Sequence, residues 1–151
     1  AAAAAAAAAD EMPAGWQSWF TTSDAEVQDA ALSVTEGKGV PTWLHGTYIK
    51  NGPGQFDVGA TKMGHAFDGF AKLHAWRFAN GTVTLTARFL ETEWRNKSLA
   101  AGAVAANVIM APTTPPFTYE QWFEALQHPM ANPVVTLWAL GCGGGGGGGG
   151  G

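Results

Sequence analysis

Cysteine is nearly absent. The one copy, Cys142, leaves no internal disulfide, and nothing favours an oxidising compartment. Positive charge is scarce too: eight Lys and Arg against twelve Asp and Glu give a formal net charge of −4. That balance argues against the electrostatic footprint of a nucleic-acid binder. No apolar run is long enough to span a bilayer, since residues 99–111 are too few and Asn107 interrupts them. Residues 1–9 are unbroken alanine, with neither the basic leader nor the long-branched core of a secretory signal. Asp10 and Glu11 follow at once, which argues against a transit peptide. The chain does not begin with methionine, so a processed, truncated or partial product is expected. Two sequons, Asn80-Gly81-Thr82 and Asn96-Lys97-Ser98, matter only in a secreted protein. Residues 143–151 are unbroken glycine, which has nothing to bury and is expected to be disordered. Three parts result: polyalanine 1–9, an informative stretch 10–142 amounting to one domain at most, and polyglycine 143–151.

Within 10–142 the hydrophobic pattern is mostly that of strands. Ser23-Asp24-Ala25-Glu26 matches a capping box, with Val27, Ala30, Ala31 and Val34 at helical spacing, and predicts a short helix over 24–34. Residues 46–50 read as a strand, and Asn51-Gly52-Pro53-Gly54 as a turn. A hairpin is predicted over 73–90. His74, Trp76 and Phe78 share one face of it, Asn80-Gly81 is the type I′ pair, and Val83, Leu85, Ala87 and Phe89 alternate with polar residues on the return. Residues 103–110 fit a strand or a short helix equally, and Pro112, Pro115 and Pro116 impose an extended loop. Thr118-Tyr119-Glu120-Gln121 is a second capping box, with Phe117 and Trp122 at the staple positions. Tyr119, Trp122, Phe123 and Leu126 give that helix an aromatic face, Pro129 stops it, and 134–140 reads as a final strand. Three or four strands leave edges open, so the chain looks like part of a larger all-β body.

The densest stretch is 50–74, with five glycines, a proline, two histidines and two aspartates. The order Val40-Pro41-Thr42-Trp43-Leu44-His45-Gly46-Thr47, Lys50-Asn51-Gly52-Pro53-Gly54, His65-Ala66-Phe67-Asp68-Gly69, Leu73-His74, Phe78, Gly81-Thr82-Val83 and Arg88-Phe89-Leu90-Glu91-Thr92 resembles the N-terminal region of the carotenoid cleavage oxygenases. The wording is closer to the animal and bacterial branch than to the epoxycarotenoid branch of plants. Lys50 stands where arginine is commoner, which keeps the charge without the planar fork.

The resemblance implies an all-β fold, the N-terminal part of a seven-bladed β-propeller comprising the first blade and a preceding helix. It implies Fe2+, one per subunit, held by four histidines, on which O2 and a carotenoid or apocarotenoid meet so that a conjugated double bond is cleaved to two carbonyl products. Stilbene cleavage and isomerohydrolase chemistry occur in the same family. At about 40–50 residues per blade, seven blades need about 300 residues. The family's iron ligands therefore lie downstream of this chain, which alone is expected to be inactive. A truncated product retaining at most an interaction surface is the alternative, and a kelch or WD propeller is disfavoured because no repeat is visible. The implied setting is cytoplasmic with membrane association, or alternatively plastid.

Accordingly no catalytic, cofactor-binding or metal-binding residue is expected here. The four histidines, His45, His65, His74 and His128, match no ligand position of the family. A lone histidine is more often a structural or surface residue. Asp68, followed by glycine, reads as a turn residue accepting local backbone N–H bonds rather than as a catalytic acid. Gly52 and Gly54 make a weak phosphate cradle, with no Lys-Ser/Thr pair and no helix after them. The helix over 117–126 has two readings. Its aromatic face either packs on the propeller, or Phe117, Trp122 and Phe123 meet a membrane at the mouth of a substrate tunnel.

Overall fold

The computed structural model describes residues 15, 20–34, 37 and 39–134. Six strands and two α-helices follow in chain order: β1 (Val27–Leu32), β2 (Gly46–Gln55), β3 (Asp57–Val58), β4 (Thr61–Lys62), β5 (Phe70–Ala79), β6 (Thr82–Phe89), α1 (Glu93–Ala101) and α2 (Tyr119–Gln127). The main sheet has the order β1-β6-β5-β2, and β3-β4 form a small second ribbon.

The predicted β5–β6 hairpin is present, antiparallel from Lys72↔Phe89 to Ala79↔Thr82. Asn80 and Gly81 have φ of 50° and 76°, the double positive φ of a type I′ turn, which matches the twist of the strands it joins. β2 pairs antiparallel along β5.

Three expectations are corrected. Residues 24–34 are not a helix. The pattern that suggested one is used as strand β1, registered Val27↔Ala87 and Ala30↔Leu85, with a shift in between where Asp29 sits at φ 47°. The open edge of β6 offers a ladder of backbone partners that an isolated helix of this length cannot match. Second, Asn51-Gly52-Pro53-Gly54 does not turn but continues β2. Proline is tolerated because β2 is an edge strand, and the register slips between Pro53 and Gln55. Gly54 is required there by close approach: a Cβ would lie 2.6 Å from the Lys72 side chain. Third, residues 103–110 are neither strand nor helix, while 93–101 form α1, for which no expectation was formed. Thr92 caps α1 by accepting from Arg95 N–H, and Gly102 ends it in the left-handed region at φ 64°.

α2 follows its sequence signal closely. Thr118 Oγ1 accepts from Gln121 N–H at 3.2 Å and Gln121 Oε1 accepts from Thr118 N–H at 2.9 Å, a complete reciprocal cap. The predicted strand 134–140 lies outside the described residues from 135 onward.

The core gathers at the end of the sheet where β5 begins and β6 ends. Val58, Met63, Phe70, Phe89, Trp94 and Val104 form one buried cluster. Trp94 meets Phe70 edge-on at 4.7 Å between ring centroids and donates its indole N–H to the Ala105 carbonyl at 2.7 Å. Ala105, Ile109, Phe117 and Met130 pack around this cluster from the loops and tie α1 and the residues before α2 to the sheet.

Candidate functional site

Two places carry the chemistry-bearing side chains: the turn and strand of residues 65–74, and the exposed face of α2.

In the first, each polar group has a structural partner. His65 opens a 3₁₀ turn over Ala66–Asp68, and its Nδ1 accepts from Phe67 N–H at 3.2 Å. Asp68 is buried, but its bonding is not local as expected. Its carboxylate accepts from Met110 N–H at 2.8 Å and Ala111 N–H at 3.1 Å, some forty residues on. The turn-residue role stands, with partners drawn from the loop before α2. Asn132 completes the anchor: its Oδ1 accepts from Ala71 N–H at 3.1 Å and its Nδ2 donates to the Gly69 carbonyl at 2.9 Å. Asn107 does the same for Met130, accepting from its N–H and donating to its carbonyl, both at 2.9 Å. These two amides act as strand surrogates and hold residues 129–134 against the sheet.

Lys72 is the most unusual group. Its side chain is buried within the face that carries Phe70 and Phe89, and its Nζ donates to the Ser23 carbonyl at 2.5 Å and the Ala25 carbonyl at 2.7 Å. Nζ also lies 4.8 Å from the centroid of the Phe89 ring, against which the Arg95 guanidinium packs at 4.1 Å. Burial lowers its pKa; Glu26 and Asp24 oppose that shift and Arg95 adds to it. His74, next on the same face, stacks on Trp76 at 5.8 Å, and its pKa is lowered by burial first and then by Lys72 and Lys50. Sequence assigns no role to Lys72 or Asn132, and Asn107 stands out there only as the break in the apolar run 99–111. Lys72 had one available signal, a lysine at an inward position of the alternation Phe70, Lys72, His74, Trp76.

Among the described residues, which include all four histidines, no three His, Cys, Asp or Glu side chains come together as a metal site. His65 is used as a cap and His74 in a ring stack. The residues present therefore do not fit the iron that the family resemblance implies.

The second place is α2. Its aromatic residues do not pack on the sheet. Tyr119 is 76% exposed, Phe123 50%, Trp122 45% and Leu126 45%, while Ala125 is the buried position. Phe117 differs from its neighbours, lying half-buried against the core cluster. Tyr119 stacks on Phe123 at 6.3 Å. Met110, Pro112, Phe117, Tyr119 and Trp122 line an apolar cleft of about 430 Å³ that opens beside this face. No helix among the described residues is long and apolar enough to cross a membrane.

Comparison with known proteins gives a consistent answer. The family model for retinal pigment epithelial membrane protein matches residues 20–139. The chain is similar to β,β-carotene 15,15′-dioxygenase of Gallus gallus, 38% identical over 68 residues, which are 45% of this chain and 13% of that enzyme. It is also similar to the mitochondrial carotenoid-cleaving dioxygenase of Pongo abelii, 47% identical over 53 residues, 35% of this chain and 10% of the relative. Among solved structures, a single-residue variant of the Synechocystis apocarotenoid oxygenase superposes with a TM-score of 0.61 at 25% identity, covering 71% of this chain and 22% of the other. A cobalt-substituted form of that oxygenase matches at a TM-score of 0.53 and 26% identity, over 61% of this chain and 19% of its own. The chain thus spans between 10% and 13% of the two curated relatives named here.

Proposed function

The chain belongs to the retinal pigment epithelial membrane protein family, the carotenoid cleavage oxygenases, and on that premise we propose that residues 10–142 are the N-terminal portion of an iron(II)-dependent dioxygenase. The whole protein would cleave a conjugated double bond of a carotenoid or apocarotenoid with O2 and release two carbonyl products. The observation that carries this reading is the match across residues 20–139, joined to a sheet that superposes on an apocarotenoid oxygenase. The share of the seven-bladed propeller present here is its first blade, with α1 and α2 as decoration and no preceding helix over residues 24–34.

No step of the cleavage is assigned to residues of this chain. Iron would be held by histidines elsewhere in the full-length protein. What these residues contribute is a rigid blade, with Asp68, Asn107 and Asn132 fixing the loops around β5. The test is metal content and product analysis on the full-length protein: one iron per subunit and two carbonyl products under oxygen. Cleavage that persists at full rate after chelation would overturn the mechanism. The 151-residue chain alone is expected to release no product.

The second element of the proposal is peripheral membrane contact through α2, with Trp122 and Phe123 as the inserting residues and Phe117 as the base on which they stand. The exposure of Tyr119, Trp122, Phe123 and Leu126 on a helix with a complete N-terminal capping box supports it. Lipophilic substrate in a bilayer would then lie next to the protein that consumes it. The setting we propose is the cytoplasm with membrane association, with a plastid as the alternative.

A further inference from the structure

The buried ammonium of Lys72 has one donor to spare. A lysine carries three N–H groups on Nζ. Two are taken by the Ser23 and Ala25 carbonyls at 2.5 and 2.7 Å, and the third has only Ser23 Oγ, at the long limit of 3.5 Å. All three acceptors are neutral oxygens. A second cation stands near: the Arg95 guanidinium packs 4.1 Å from the centroid of the Phe89 ring that Lys72 also approaches, and its Nε is buried without a hydrogen-bond partner. A negative charge carried on Ser23 Oγ would therefore meet an ammonium with a donor free to take it.

The sequence around Ser23 offers a route to such a charge. Ser23-Asp24-Ala25-Glu26 does not start a helix, but it sets acids one and three positions after a serine. No other serine or threonine of the chain has an acid at both positions. Kinases select substrates by charge pattern, and a basic peptide groove suits this one. Residues 21–26 belong to neither helix nor strand, and Ser23, Asp24 and Glu26 are exposed. They lead into β1, an edge strand of the sheet, where local opening costs least.

We propose that Ser23 is a phosphorylation site for an acid-directed serine kinase, and that its phosphate latches the segment before β1 onto Lys72. In the transfer the Ser23 hydroxyl oxygen bonds to the γ-phosphorus of ATP, the bond from that phosphorus to the bridging oxygen breaks, ADP leaves, and the hydroxyl proton passes to the catalytic carboxylate of the kinase. The product carries three acceptor oxygens and close to two negative charges. The third Nζ donor then exchanges a long contact with a hydroxyl for a charge-assisted bond. Asp24 and Glu26 repel the phosphate, but both are exposed and screened by water and salt, whereas Lys72 is only 1% exposed. The attraction wins, and β1 is held more tightly. This latch is independent of the reaction that the whole protein catalyses.

The experiment treats the full-length protein with ATP and a serine kinase that requires acids at these two positions, and maps the phosphate by mass spectrometry. One phosphate is expected on the peptide holding residues 21–26, and none there in Ser23→Ala. Hydrogen exchange is then compared before and after phosphatase treatment. With the phosphate in place, exchange over Val27–Leu32 should be about tenfold slower, the effect of one charge-assisted bond, and unchanged over Tyr119–Gln127. Lys72→Met should abolish the slowing, and Lys72→Arg, which keeps a cation at the same place, should retain it. No transfer to Ser23 while the kinase modifies a control peptide overturns the site. Phosphate on Ser23 with unchanged or faster exchange over β1, or slowing that persists in Lys72→Met, overturns the latch.

Discussion

Two capping-box sequences in this chain, Ser23-Asp24-Ala25-Glu26 and Thr118-Tyr119-Glu120-Gln121, lead to opposite structures. The second starts α2 and the first precedes strand β1. Their local signals are equivalent, so the difference lies in what surrounds them. At residues 118–121 nothing else competes, and the two side chains cap the helix reciprocally. At residues 23–26 the same groups are taken by the sheet. The Ser23 and Ala25 carbonyls accept from Lys72 Nζ, Glu26 Oε1 accepts from Phe89 N–H at 2.8 Å, and Ser23 N–H donates to the Gly54 carbonyl at 2.8 Å. A cap contributes about 1 kcal/mol, and several bonds to a buried ammonium and an open strand edge outweigh it.

If that account is right, Lys72 decides the outcome for the first box. Lys72→Met keeps most of the apolar stem and leaves the Ser23 and Ala25 carbonyls without a donor. The expected cost is about 3 kcal/mol, the order for stranding two partly buried polar groups. Hydrogen exchange should show the loss concentrated in β1, with the Asn80 end of the hairpin still protected. Retained protection over residues 27–32 would mean that strand pairing alone holds the segment.

A smaller effect separates the two serine/threonine positions. Thr118→Ala removes a working cap and should lower protection across Tyr119–Gln127 by about 1 kcal/mol. Ser23→Ala should cost under about 0.5 kcal/mol, the range for surface changes away from special features. The Ser23 hydroxyl reaches Lys72 Nζ only at 3.5 Å, and its carbonyl does the holding. Equal losses in the two variants would show that residue 23 retains capping character.

This contrast also marks how far sequence alone could go. The β5–β6 hairpin was legible because its turn chemistry and its period-two pattern are local and agree. α2 was legible for the same reason. β1 was not, because its fate depends on a lysine some fifty positions away. α1 was missed although Thr92 and Gly102 cap it well, because its nine residues show little amphipathic pattern and bury only Trp94 and Ser98. At the candidate site the motif around Asp68 was visible, but its partners at residues 110 and 111 were not, since loops without periodicity give no register to pair. Whether the aromatic face of α2 turns inward was equally out of reach. Helical spacing identifies an apolar face and says nothing about which neighbour covers it.

Acid offers the mildest way to separate the two segments. His74 has its pKa lowered in the folded chain, by burial and by the cations Lys72 and Lys50. Below its ordinary pKa near 6.5 the unfolded chain therefore binds the proton more readily than the folded one. The stability His74 supports is complete above that value and declines as pH falls through the window down to the folded pKa. The loss should be felt on the face His74 shares with Lys72, so residues 23–32 should lose hydrogen-exchange protection first. α2 titrates no group in that stack, and its protection over Tyr119–Gln127 should stay flat across the same step. His74→Gln removes the charge change and should flatten the β1 response as well. A slope that survives in His74→Gln would place the proton elsewhere, and parallel loss in both segments would mean that acid loosens the chain as a whole.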